Sequence, residues 1–280
     1  MAVTLVLGAK GELGAEFVRT LNGEGRVVDI DLDQVDLCDA KGLAKLTRDV
    51  RPDTIVNCAA WNAVDQAEER PLEALYTNAY AVRTLADLAA ELGATLIHFS
   101  TDFVFDGQVS APYSEADHPR PVSIYGMSKL LGEVACLAWP RHYVLRLSSL
   151  YGGLRRRGYV DQIASAVRDG RPVRVFTDRI VSPSYIPDVV LATLTLLRSK
   201  GPFGLYHCTA SDFGSWYDIA REVACQLSAP QSCLQPVPIT NSPGRARRPQ
   251  FCALSTAKLE ACIGPLPGWK DALGRYLTGW

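Results

Sequence analysis

Short β-branched or apolar runs alternate with longer segments of helical periodicity through the first 150 residues, and this alternation leaves few folds open. Val3–Leu7, Arg26–Asp31, Thr54–Asn57, Thr95–Ser100 and Tyr143–Leu147 read as strands. Glu12–Leu21, Lys41–Val50, Pro71–Leu92 and Ile124–Ala138 read as the helices between them. Strand, helix, strand in this order requires right-handed crossovers and a parallel sheet covered on both faces, so the class is α/β. After Leu150 the texture changes. "YGGLRRRGY" and "TNSPGRARRPQ" are rich in Gly, Pro and Arg, and only Asp188–Arg198 (helix) and Leu205–Cys208 (strand) continue the earlier pattern. The expected division is 1–150 plus about 186–210 as a cofactor-binding unit, with about 151–185 and 211–280 forming a smaller substrate-binding lobe.

A chain of 280 residues, 48% hydrophobic and 21% charged, buries a core of ordinary size. The net charge of -1 gives no general pull toward nucleic acid or an anionic membrane, so neither is an expected partner. No run approaches the roughly 20 apolar residues that span a bilayer. "MAVTLVLGAKGELG" has neither the basic region nor the length of a signal segment, and the expected location is the cytoplasm. The eight cysteines contain no C-x-x-C pair and read as reduced and structural. The four histidines lie outside metal-ligand spacing, so no metal site is expected.

"LVLGAKGELG" places Gly8, Gly11 and Gly14 at the end of the first strand and the start of the first helix. Glycine permits the tight turn and lets backbone approach a pyrophosphate, and the helix N-terminus offers free N–H groups to the phosphates. A second strand ends in acid, "VVDIDLD", with Asp31 where a ribose-binding carboxylate is expected and Asp29 and Asp33 as rivals. Together these features predict a Rossmann-type, doubly wound sheet holding a dinucleotide. Lys10, within the glycine loop, would attract a 2′-phosphate while Asp31 would repel one, so the cofactor is NADPH or NADH.

Tyr125 and Lys129 stand four residues apart in a helical segment and share a face. Ser100 and Thr101 close the fourth strand, at the sheet edge where ligands bind. A phenol, an ammonium and a hydroxyl around one atom suit proton transfer coupled to hydride transfer. The phenol protonates the forming alkoxide, the ammonium lowers the phenol's pKa, and the hydroxyl orients the carbonyl.

These residues, with "NCAAWNAVDQAE" (Asn57–Glu68), "TNAYAVRTLA" (Thr77–Ala86), "STDFVFDG" (Ser100–Gly107), "PYSEAD", "YGMSKLLGE" (Tyr125–Glu133) and "SWYDIA" (Ser215–Ala220), resemble the short-chain dehydrogenase/reductase superfamily. Within it they are similar to the dTDP-4-dehydrorhamnose reductase family of sugar-nucleotide reductases, from Val3 to about Lys258. The resemblance implies Thr101, Tyr125 and Lys129 as catalytic residues. It implies cofactor contacts from Gly8, Lys10, Gly11, Glu12, Leu13, Gly14, Asp31, Asp36, Leu37, Cys58, Ala59, Ala60, Asn78, Ser100, Tyr125 and Lys129. Substrate contacts would come from Val64, Thr101, Asp102, Phe103, Ser149 and Arg248. Read from the residues alone, Asn57 and Asn78 are equally a strand-end turn residue and a helix surface amide.

The implied reaction is NAD(P)H-dependent reduction of the 4-keto group of a nucleotide-activated deoxy sugar. The alternatives are a non-catalytic NADP-binding regulatory subunit, like the β subunit of methionine adenosyltransferase, and a nucleotide-sugar epimerase or dehydratase. A homodimer is allowed by the sequence and not read from it. Two departures bear on the sugar pocket: Phe103 stands where the family shows tyrosine, and Ser149 where it shows tryptophan. Tyr151 and Trp216 are the neighbouring aromatics able to refill that space. The arginine clusters Arg155–Arg157 and Arg245/Arg247/Arg248 read as solvated loop charge or, for the second, a clamp on a diphosphate.

Overall fold

The computed structural model describes residues 2–156, 158–239 and 245–280. Arg157 of the first arginine cluster and Thr240–Gly244 of the "TNSPGRARRPQ" stretch therefore lie outside the described residues. The central sheet is built from β1 (Val3–Leu7), β2 (Arg26–Ile30), β3 (Thr54–Asn57), β4 (Thr95–Thr101), β5 (His142–Leu147) and β6 (Gly204–His207). All pair in parallel, in the spatial order β2-β1-β3-β4-β5-β6. The order reverses between β1 and β3, and the crevice at that switch point is where such a sheet binds ligands.

Successive residues of a strand face opposite sides, and the two faces feed two cores. Val6, Val56, Ile97, Phe99, Leu145 and Leu147 pack beneath α1 (Glu12–Leu21) and α5 (Ile186–Arg198). Leu5, Leu7, Ile55, Leu96 and Val144 pack against α2 (Ala40–Val50) and α3 (Ala81–Leu92). The remaining long helix, α4 (Ile124–Cys136), lies alongside β4 and α3. The helix expected over Pro71–Leu92 is interrupted: Pro71–Leu75 is α-helical, Tyr76–Tyr80 is a π turn, and α3 follows. Such a bulge inserts one extra residue per turn, and here it carries Asn78, which is 1% exposed. Asn78 is thus a buried amide and not a helix surface amide.

The lobe has a core of its own. Tyr151, Val160, Ile163, Val181, Trp216, Val223, Cys252, Trp269 and Leu273 gather there from helices Tyr159–Arg168, Trp216–Gln226 and Trp269–Leu277 and from short strands. None of these three helices is among the elements read from the sequence. Ile180–Val181 pairs antiparallel with Gly214–Ser215 and parallel with Phe251–Cys252. Helix Trp216–Gln226 starts at a capping box in which Ser215 Oγ accepts from Asp218 N–H while Asp218 accepts from Ser215 N–H, both at 3.0 Å. That cap sets Trp216 at the first helical position, within the lobe's core.

Candidate active site

A cleft of about 710 Å³ opens over the C-terminal ends of β1, β3, β4 and β5, with the lobe as its opposite wall. At its floor the glycine loop folds as expected for a phosphate cradle. Gly8 has φ +73°, in the left-handed region, and a Cβ on Gly14 would lie 2.2 Å from the Gly8 carbonyl oxygen, so only glycine fits. No side chain caps the N-terminus of α1. Gly11, Glu12 and Leu13 line the cleft with Cys58, Ala59 and Ala60 from the end of β3. Asn57 shapes that end: its Oδ1 accepts from Ala59 N–H at 3.2 Å and its Nδ2 donates to His98 Nδ1 at 3.2 Å. The strand-end turn reading of Asn57 is the structural one.

Other expected cofactor residues stand back from the cleft. Asp31 Oδ2 accepts from the Lys10 backbone N–H at 2.6 Å, and the Lys10 ammonium pairs with Asp33. Asp31 therefore holds the glycine loop, and Lys10 already has an acidic partner. Asp36 accepts from Cys38 N–H at 2.9 Å and Leu37 is buried in the core. Asn78 accepts from Trp61 N–H at 2.8 Å and donates to Ser128 Oγ at 2.9 Å, so it braces the chain after Ala60. Glu12 Oε2 accepts from Arg155 N–H at 3.0 Å, tying α1 to the lobe's first loop, while its Oε1 is buried without a partner among the described residues.

Ser123 caps α4, its Oγ accepting from Gly126 N–H at 3.1 Å, and so sets Tyr125 in the first turn with Lys129 one turn further on. Both line the cleft beside Thr101 and Ser100. Tyr125 OH donates to Asn62 Oδ1 at 3.4 Å, and its ring meets that of Phe103 edge-on, 5.5 Å between centroids. Burial pushes the phenol well above its ordinary value; contact with the Thr101 hydroxyl lowers it and the charge of Asp102 raises it. Lys129 lies one helical turn beyond. Its ammonium donates to the Phe99 carbonyl at 2.5 Å, and burial drops its pKa from the ordinary 10.5 to about 8, opposed chiefly by the charge of Glu133. The ammonium is thus held by the Phe99 carbonyl of β4, the strand that ends at Thr101. Ser100 gives its hydroxyl hydrogen to Glu133 Oε1. Thr101 gives its own to Asp102 Oδ1 at 2.9 Å and accepts from Phe103 N–H at 3.2 Å.

Asp102 is 2% exposed, and burial raises its pKa against the pull of Arg179 and of hydrogen bonds from Ser148 and Thr101. Val64, Phe103, Ser149 and Arg248 also line the cleft. Ser149 has φ +50°, a strained conformation for a non-glycine residue. Tyr151 and Trp216 both line the cleft, so aromatic surface stands in the lobe wall although position 149 is serine. The terminal nitrogens of Arg248 donate to Asp65 Oδ1 and Oδ2 at 2.9 and 3.0 Å and to the Ala246 carbonyl at 2.9 Å, so the guanidinium is held at the rim of the cleft by an acidic partner. In the first cluster, Arg156 stacks on Trp280, 4.4 Å from the ring centroid.

Sequence reasoning missed Tyr159, Phe176 and Arg179 in the lobe wall. Arg179 lies just before "IVSPSYIPDVV", where no periodicity marks it. Six buried side-chain polar atoms lack a hydrogen-bond partner among the described residues, and four of them, on Glu12, Tyr151, Arg179 and Trp216, belong to residues of this cleft.

Comparison with known proteins agrees with this geometry. A family model described as "RmlD substrate binding domain" matches residues 1–279. A dTDP-4-dehydrorhamnose reductase of Burkholderia thailandensis is 33% identical over 96% of this chain and 96% of its own length. A probable dTDP-4,6-dihydroxy-2-methyloxan-3-one 4-ketoreductase of Streptomyces antibioticus is 35% identical over 96% of this chain and 92% of its own. The crystal structure of the dTDP-4-dehydrorhamnose reductase of Bacillus anthracis, in complex with NADP, superposes with a TM-score of 0.94 at 27% identity, covering 100% of both chains.

Proposed function

The chain belongs to the RmlD substrate binding domain family, that of the dTDP-4-dehydrorhamnose reductases, and from this premise we propose that it reduces the 4-keto group of a dTDP-linked deoxy sugar with a reduced nicotinamide cofactor. The observation that carries this reading is the convergence of Tyr125, Lys129 and Thr101 on one wall of a cleft whose floor is the glycine cradle. Gly8, Gly11, Gly14 and the uncapped N-terminus of α1 suit the pyrophosphate of such a cofactor. Tyr125 and Lys129, which line the same cleft, would hold its ribose, and the chemistry it would supply there is hydride.

Tyr125 donates its proton to the keto oxygen as that oxygen gains charge. With its pKa raised, the phenol is fully protonated at neutral pH, so the donor is always loaded. Thr101 orients the carbonyl by turning its single hydrogen from Asp102 to the developing oxygen, and the carboxylate of Asp102 keeps that hydroxyl in place between turnovers. Lys129 supplies the positive charge beside the departing proton. We assign residues 1–150 with about 186–210 to the cofactor and 151–185 with 211–280 to the sugar nucleotide, a division supported by the lobe's separate core. The test is turnover by Tyr125→Phe, followed as loss of nicotinamide absorbance with a dTDP-4-keto-6-deoxy sugar. The variant binds cofactor like the parent and turns over roughly 10²-fold more slowly. Parental turnover by Tyr125→Phe would remove the phenol from the mechanism.

A further inference from the structure

Resting on the cofactor part of the reading above, we propose that His98, which no step of the reaction uses, is the positioning residue for the turn that supports the phosphate cradle. His98 lies in β4 and is 0% exposed. Its ring sits between two elements that build the cleft. On one side Asn57, the last residue of β3, meets its Nδ1 at 3.2 Å. On the other, a Cβ on Gly132 of α4 would lie 3.2 Å from its Nε2 and 2.2 Å from the Asn78 carbonyl oxygen. Only glycine lets the helix of Tyr125 and Lys129 come this close to the imidazole.

The hydrogen-bond pattern fixes the proton on the ring. Asn57 Oδ1 accepts from Ala59 N–H at 3.2 Å, so the amide group that faces His98 is the Nδ2 donor. Nδ1 must then be an unprotonated acceptor, and the neutral imidazole carries its hydrogen on Nε2. Burial, with the charge of Lys129, holds the ring well below its ordinary pKa and so keeps it neutral. A proton on Nδ1 would meet the Nδ2 donor and turn the amide over, and the Ala59 N–H would lose its acceptor.

That turn bears on the cradle directly. A Cβ on Gly8 would lie 2.7 Å from Ala59 N and 2.8 Å from Ala59 Cα, so the turn packs against the glycine that opens the phosphate loop. Cys58, Ala59 and Ala60 themselves line the cleft. Contacts therefore run from His98 through Asn57 and Ala59 to Gly8, and the imidazole acts on the cofactor only through them.

The competing role is packing alone, which any apolar side chain of similar size would fill. Two measurements separate the roles. In ¹H–¹⁵N spectra of the parent protein, His98 carries hydrogen on Nε2 and none on Nδ1; hydrogen on Nδ1 overturns the proposal. Titration calorimetry with NADP and with NAD, in the absence of any sugar, gives the second. His98→Leu leaves the Asn57 donor unpaired and binds cofactor about tenfold more weakly, the scale of one buried donor left unmet. His98→Gln, whose amide oxygen accepts the same hydrogen, returns to within about threefold of the parent. Ile97→Ala removes packing from the opposite face of the same strand, so it melts earlier than the parent yet binds cofactor equally well. Parental affinity in folded His98→Leu overturns the proposal, as does an equal loss in Ile97→Ala or a glutamine variant no better than the leucine. Where the leucine variant fails to fold, the spectrum and the glutamine variant decide. A parent that binds cofactor but reduces no dTDP-linked keto sugar keeps this inference and removes the reductase reading. A parent that binds neither cofactor removes both.

Discussion

Two arginines stack over two phenylalanines of the single stretch "STDFVF", and they end in opposite situations. Arg146, on β5, lies 4.9 Å from the Phe105 ring centroid and is 2% exposed. It donates from Nε and Nη2 to both oxygens of Glu133 at 2.8 and 2.7 Å, and Ser100 adds its hydroxyl to the same carboxylate. Arg179, in the lobe wall, lies at almost the same distance from Phe103, yet its Nε is buried without a hydrogen-bond partner among the described residues. The first charge is fully answered from within the protein and joins β4, α4 and β5 behind the catalytic wall. The second meets a carboxylate through its charge alone, which lowers the pKa of the buried Asp102 against the effect of burial. Aromatic stacking is common to both, so a hydrogen-bonded carboxylate is what distinguishes the closed pair from the counter-charge.

The largest effect comes from breaking the closed pair. Glu133→Ala leaves Arg146 charged and buried, and a buried pair that loses one partner weakens a protein by about 3–5 kcal/mol. Denaturant melts should show that loss; a change under about 1 kcal/mol would mean the network is dispensable. Replacing Glu133 and Arg146 together by apolar residues of similar size restores much of it, because the penalty lies in the orphaned charge.

A middle-sized effect is read in pH. The charge of Glu133 is the main influence opposing the burial that drops Lys129 to about 8. Above that pH the ammonium is lost, while the raised phenol of Tyr125 remains protonated, so the alkaline limb of kcat/KM belongs to Lys129 and turns near pH 8. One pH unit further costs about tenfold in rate, roughly 1.4 kcal/mol. Glu133→Gln moves the turn to lower pH. A limb unmoved by Glu133→Gln would separate Lys129 from it. In stability the same group acts oppositely. Between about 8 and 10.5 the unfolded chain holds a proton that the folded one has released, so Lys129 adds to stability as pH rises through that window and carries its burial penalty below it.

The smallest effect belongs to a third arginine. Arg248 is paired like Arg146, but its partner Asp65 has 41% of its side chain exposed. Solvent and salt weaken such a pair, and Arg248→Met should change stability by about 1 kcal/mol or less. Its effect should fall further at high salt; a loss as large as that of Glu133→Ala would place Arg248 with the closed network after all.

What the sequence determined by itself was everything carried by short spacing. Strand and helix periods predicted the parallel sheet, three glycines predicted the cradle on α1, and an interval of four residues placed Tyr125 and Lys129 on one helix face, because backbone geometry over a few residues needs no distant partner. Tertiary structure alone decided where each polar group ends its reach. Arg248 meets Asp65 across 183 positions, Lys129 turns to the carbonyl of Phe99 thirty residues back, and Trp61 is held by an amide on a π turn. It also brought three helices and several short strands together around the lobe's core and carried Arg179 into the cleft. Such pairings depend on which surfaces are buried against each other, and burial is a property of the packed chain that no local spacing records.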